Sequence, residues 1–418
     1  MLQTELKAKG RSREPTPPDR AAAALVPKAG FIPPQLSQML FMARWLGMFL
    51  VLGVHATATF MNFNSFTASD QPLFVATWRF LVNYVFGREA VIGFFVMSGF
   101  LVGGAVLGRM NSEKPFLLDY LVHRIVRIYM VVIPAILLTA LFDTLGRTIF
   151  PLDYGAYPVF DGHYRPIYIL TNFLNLQGVV ATHYGTNGPL WSIGYEFWYY
   201  VAFPLLLSPW MKSVTPRTAR IGFLIALIFC LAISLRQIWF PFGFIIWGLG
   251  AAITRAKRPI MRSANRAALL LLVVNLIAGV VFNNGFIHAH PWAQYVSDSV
   301  TALAFANLIL TMRFPTGEKW RFLNWSGHQT LADFSFTLYA IHNPTLMLLR
   351  TTATAILGKD WSAGVATPVQ WLTLASAMFL TILLAWLLSF FTEKKVPAAR
   401  RLANNWIIRN RQEVNTPA

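Results

Sequence analysis

The sequence predicts an all-α fold: a polytopic membrane bundle of about ten transmembrane helices with both ends of the chain cytoplasmic. Three observations predict it. Apolar runs of about twenty residues recur along the 418 residues, and about twenty is the number a helix needs to cross a hydrocarbon layer. The chain is 56% hydrophobic, 15% aromatic and 12% charged, with mean hydropathy +0.50, and soluble domains carry about twice that charged fraction. The basic residues are also sided. With the N-terminus inside, 28 of the 35 Lys and Arg fall in cytoplasmic segments, leaving Arg79, Arg88, Arg147, Arg165, Arg236, Arg350 and Lys359 outside. This is a positive-inside bias, so the net charge of +18 needs no nucleic acid to explain it.

Residues 1–36 are polar, mixed in charge and rich in proline. They lack an apolar run ending in a cleavage site and read as a disordered cytoplasmic tail rather than a signal peptide. Spans follow at about 40–61, 90–108, 128–149, 189–208, 219–235, 238–254, 267–284, 296–312, 331–350 and 370–391. The fifth and sixth are separated only by the short stretch around Arg236. Residues 37–392 form the transmembrane domain and 393–418 a basic cytoplasmic tail. The longest outer connection, 150–188, carries Asp153, Asp161, His163, Arg165 and His183, and 167–180 is too polar to span. It reads either as a cover over a substrate entrance or as a loop packed across helix ends. No internal repeat supports an inverted-repeat transporter.

The lone cysteine, Cys230, excludes disulfides and cysteine-based metal clusters, and in its apolar run it reads as a small hydrophobe. His288 and His290, without an adjacent carboxylate or cysteine, make a weak metal site, and no metal is expected.

Polar residues interrupt the apolar background in a few places. Arg44 opens the first span and His55 follows eleven residues later, about three turns on and so on nearly the same face. His55 then lies ~17 Å deeper, about half-way through a core ~30 Å thick. An ionisable ring at that depth is a functional-site signal, and histidine is the natural base near neutral pH. The second span carries FFVMSGF, in which Ser98 and Gly99 allow close approach. Arg124 and Arg127 share a face at the start of the third span, either as phosphate ligands or as orientation charges. At the outer start of the fourth, PLWSIGYE brings Trp191, Ser192 and Glu196. Glu196 lies ~10 Å deep and His55 ~13 Å from the same boundary, so depth permits the two to pair without showing that their faces converge. The ninth span ends its motif YAIH with His342, either functional or an anchor.

These motifs, in this order, resemble the acyltransferase-3 family of integral membrane acyltransferases over about residues 40–391. The resemblance rests on the arginine–ten residues–histidine pattern, FFVMSGF, RIVR, WSIGYE and YAIH. It implies transfer of an acyl group from cytoplasmic acyl-CoA to a hydroxyl of a cell-surface or exported glycan or glycolipid, in a bacterial inner membrane. Acetyl-CoA is the default donor, with succinyl second; the thioester is a substrate and no cofactor is bound. On this reading His55 and Glu196 are catalytic, and Arg44, Arg124 and Arg127 bind the donor. Ser98, Gly99, Trp191 and Ser192 line the passage, and Tyr339 and His342 are further candidates. Membrane lipids and polysaccharide-biosynthesis proteins are the expected partners. The chain departs from some members by its hydrophilic N-terminal tail and by lacking a C-terminal esterase-like domain, so any second transfer step would fall to another protein. The alternatives are acylation of a lipid or small molecule, and a proton-coupled transporter or flippase with His and Glu as relay. The clustered arginines suit the phosphates of coenzyme A and favour the enzyme.

Overall fold

A computed structural model describes residues 32–61, 72–82, 87–151, 154, 162–282, 284–364 and 366–415. The expected N-terminal tail up to residue 31, Asp153 and Asp161, and the side chain of His288 lie outside the described residues. The described residues are helical with short connections. In chain order the helices are α1 (Pro34–Phe60), α2 (Leu73–Leu81), α3 (Gly87–Arg109, with a π-turn at Gly99–Gly103), α4 (Leu117–Ile149) and α5 (Pro166–Phe173). Then come α6 (Trp191–Leu207), α7 (Pro216–Ser234), α8 (Trp239–Ala252), α9 (Ala264–Val281) and α10 (Asn284–Ala289). The last are α11 (Trp292–Met312), α12 (Gly327–Ala332), α13 (Ser335–Leu357), α14 (Pro368–Ser389) and α15 (Val396–Asn415).

A helix stands at each of the ten expected spans. Local chemistry starts several of them: Pro34, Pro216 and Pro368 occupy first-turn positions, where a missing N–H costs nothing. Thr367 and Gln370 form a full capping box on α14. Seven of the described helices are long and apolar enough to cross a membrane. The exceptions among the expected ten are α6, α8 and α13. At 17 and 14 residues, α6 and α8 reach only about 25 and 21 Å, and a 3-10 turn prolongs each. α13 is long enough but spends much of its length on buried Ser335, Thr337, His342, Thr345 and Thr351.

The bundle is apolar outside and polar at selected points within. Leu224, Ile225 and Ile228 on α7, Leu272 and Ile277 on α9, and Leu372 and Phe379 on α14 are all exposed. Water would not tolerate an apolar surface of that extent, whereas lipid matches it. The protein is a multi-pass membrane protein. α13 sits centrally, packed on α1, α4 and α14.

Three boundaries differ from expectation. α4 starts at Leu117 rather than 128, so Arg124 and Arg127 ride on the helix itself. Within the expected basic C-terminal tail, Val396–Asn415 form the helix α15, packed on α4. The 150–188 connection, where described, is a folded plug: Asn172, Asn175, Gln177, Thr186 and Asn187 are fully buried. Asp143 of α4 anchors it, accepting from the Thr186 N–H and hydroxyl at 2.8 Å each. Gly185 (φ +57°) makes the turn, and a Cβ there would meet Asp143 Oδ2 at 2.1 Å, so only glycine fits.

Candidate active site

The residues singled out by sequence gather around two cavities. One, of about 900 Å³, opens at the end of the bundle covered by the plug. His55 lines it, with Trp191 and Trp239 on one side, the plug residues 178–183 above, and Asn343 beside. Burial, with His163 beside it, pushes the plug's His183 down to about 4. The second cavity, of about 330 Å³, lies towards the basic end and is lined by Arg44, Arg124, Arg127, Ser98, Ser192 and Glu196.

The hydrogen bonds around His55 fix its tautomer. Asn343 donates through Nδ2 to the Thr186 carbonyl of the plug, leaving Oδ1 as an acceptor 3.2 Å from His55 Nδ1. His342, fully buried, has Nδ1 2.7 Å from the Tyr339 carbonyl. A carbonyl only accepts, so His342 Nδ1 carries a proton and, in the neutral ring, Nε2 is an acceptor. That Nε2 is 3.2 Å from His55 Nδ1. Both neighbours of His55 Nδ1 are therefore acceptors, and the proton of neutral His55 belongs on Nδ1. Its Nε2 is left with a lone pair, on a ring that lines the large cavity, and this is the form a general base requires.

The basic cavity is built on helical periodicity. Ser192, Glu196 and Tyr200 are spaced by four along α6, share one face and all line it. Trp191, about 100° round the same helix, faces the other cavity. Tyr200 lies against Glu196 and 3.0 Å from Ser98 Oγ, which also accepts from Trp247 Nε1 at 3.0 Å. Arg44 pairs with Glu393 at 2.5 Å. Glu393 in turn accepts from the Thr337 N–H (2.9 Å) and hydroxyl (3.0 Å), which holds the start of α13 to the end of α14. Arg124 stacks over Tyr120 at 5.8 Å, within electrostatic range of Arg127 and Glu196.

Tyr339 and Val91 line both cavities and form the wall between them. The Tyr339 hydroxyl is 2.6 Å from Ser192 Oγ and donates to the Pro189 carbonyl at 3.1 Å, pinning the ring across the gap.

The structure therefore does not bring His55 and Glu196 together. Glu196 shares the face of Ser192 and so looks into the arginine-lined cavity behind Tyr339. The partners of His55 are His342 and Asn343. Gly99 does not line a passage either: a Cβ there would lie 1.7 Å from the Trp247 carbonyl oxygen, and Gly250 opposite is closed in by the Val96 carbonyl at 2.1 Å. These glycines let α3 and α8 touch backbone to backbone. Ser98, Ser192, Trp191, Tyr339, Arg44, Arg124 and Arg127 line the cavities. Asn343, Thr186 and Glu393 escaped sequence reasoning. Asn343 directly follows the YAIH motif, the one available signal; Glu393 was grouped with the basic tail.

The fold and site define a class: a multi-pass membrane protein with a hydrogen-bonded histidine at one cavity and a guanidinium cluster at the other, divided by a tyrosine. The chain belongs to the acyltransferase-3 family, whose profile, described as an acyltransferase domain, matches residues 41–390. It is a membrane acyltransferase. No curated protein and no solved structure matches the chain.

Proposed function

We propose that the protein is an acyl-CoA-dependent O-acyltransferase of the bacterial inner membrane. It would move an acyl group, acetyl in the first instance, onto a hydroxyl of a cell-surface or exported glycan. The observation that carries the reading is the opposition of the two cavities across Tyr339, one arginine-lined and one holding the lone pair of His55 Nε2. Positive-inside orientation makes the arginine end cytoplasmic, the side on which coenzyme A thioesters are found. Guanidiniums suit its phosphates. The flat faces of Trp191 and Trp239, with Gln237 and Arg88 beside them, suit a ring that carries hydroxyls.

In this reading His55 Nε2 takes the proton of the acceptor hydroxyl. The oxygen forms the ester bond at the acyl carbon, the C–S bond breaks, and the proton ends on the sulfur of coenzyme A. His342 and Asn343 position the ring. Glu196, beside Tyr200 on the donor side, positions the thioester and tempers the arginine charge. Tyr339 has to swing aside, or admit the acyl end past its ring, for thioester and hydroxyl to meet.

The test is thiol release from acetyl-CoA by purified protein, with a bacterial glycan acceptor trapped inside sided vesicles. Turnover that stops in a folded His55→Ala variant supports the reading. A protein that moves substrate without consuming any thioester, succinyl-CoA included, is a carrier and not this enzyme.

A further inference from the structure

The segment after the last span lies beyond the residues matched by the family profile, yet it closes over the donor face. Glu393 holds Arg44, and α15 packs along α4, with Asn404 Nδ2 3.2 Å from His123 Nε2. His123 immediately precedes Arg124. Arg400 stands one turn before Asn404 on the same face of α15, which sets it against the Arg124–Arg127 stretch. Both of those arginines lie within its electrostatic range.

Among the described residues, Arg124, Arg127 and Arg400 make no hydrogen bond or ion pair, and the Nε atoms of Arg124 and Arg400 are buried without a partner. Arg44 is held in an ion pair by Glu393, while Arg124 and Arg127 have carboxylates, Glu196 and Glu393, only within electrostatic range. Gathered guanidiniums repel one another, and a bound polyanion turns that repulsion into attraction. The cavity, about 330 Å³, has room for an acyl-pantetheine arm but not for a nucleotide as well. The phosphate-bearing end of the donor then extends from the cavity past Arg124 and Arg127, which line it, towards α15 where it packs on α4.

We propose that α15 completes the donor site, with Arg400 joining Arg124 and Arg127 on the nucleotide phosphates of the thioester and Glu393 positioning Arg44 for the same task. This rests on the acyl-CoA reading above. A phosphate at this face could also come from a lipid headgroup, and the experiment separates the two sources.

Wild type, Arg400→Gln and Arg400→Lys are assayed in nanodiscs of phosphatidylcholine alone and with phosphatidylglycerol. The donors are acetyl-CoA and S-acetyl-N-acetylcysteamine, a short thioester without phosphates. Arg400→Gln should raise the acetyl-CoA KM about tenfold, the loss of one charge-assisted contact, with kcat little changed and Arg400→Lys restoring part of it. With the short thioester the three proteins should be equal. An unchanged KM, or an equal loss with both donors, overturns the proposal, the second outcome marking a structural role. An effect seen only with phosphatidylglycerol assigns Arg400 to lipid and also overturns it. Wild-type protein that consumes neither acetyl-CoA nor succinyl-CoA would instead refute the acyl-CoA reading itself.

Discussion

Asn343 offers a direct measure of how far the tautomer of His55 is set by its surroundings. Asn343→Ala removes two hydrogen bonds, from His55 Nδ1 to Oδ1 (3.2 Å) and from Nδ2 to the Thr186 carbonyl. At about 1 kcal/mol each, their loss amounts to at most ~30-fold in rate if all of it falls on placing the base. His342 Nε2 still accepts from Nδ1, so the expected fall in kcat is about 5- to 30-fold. His342→Leu roughly keeps the buried volume and removes the other acceptor, together with the bond from His342 Nδ1 to the Tyr339 carbonyl, and about the same loss is expected. The double variant leaves Nδ1–H with no acceptor, so the proton is free to sit on either nitrogen. Its activity should drop towards that of His55→Ala, by more than the product of the single losses, because the two acceptors substitute for each other. Thiol release from acetyl-CoA reads kcat, and a size-exclusion profile checks that each variant is folded. A double variant whose loss merely equals the product of the singles would refute the tautomer argument.

Three further outcomes are expected. Gly99→Val should lower the yield and Tm of the folded protein, since its side chain meets the α8 backbone and overpacking costs about 1–3 kcal/mol or more; a normal Tm would contradict the packing role. Arg124→Gln and Arg127→Gln should each raise the acyl-CoA KM, and in wild type that KM should climb with salt, as partly exposed charges are screened; lower yield with unchanged KM would mark them as orientation charges. The plug should loosen in acid. His183 is held down to about 4, so below its ordinary 6.5 the opened plug binds a proton that the closed one refuses, and stability falls as pH drops from about 6.5 towards 4. The fall in Tm between pH 7 and 5 should be smaller in His183→Gln, and an identical fall would show that His183 is not the titrating group.

What the sequence determined by itself was everything that depends on near neighbours in the chain. Spans follow from runs of apolar residues, sidedness from loop charges, and the shared face of Arg124 and Arg127 from their spacing of three. The motifs could be placed on their helices, and the family was legible in their order, because none of this needs to know how the helices are rotated against one another. The tertiary structure decided which side chains meet. His342 reaches His55 across 287 residues and Glu393 reaches Arg44 across 349, and no periodicity carries information over such distances. Depth arithmetic put His55 and Glu196 at one level, but the rotation of α6 turned the carboxylate into the other cavity. Gly99 makes the same point: a small residue in a membrane helix leaves room either for a ligand or for another helix, and here the backbone of α8 fills it.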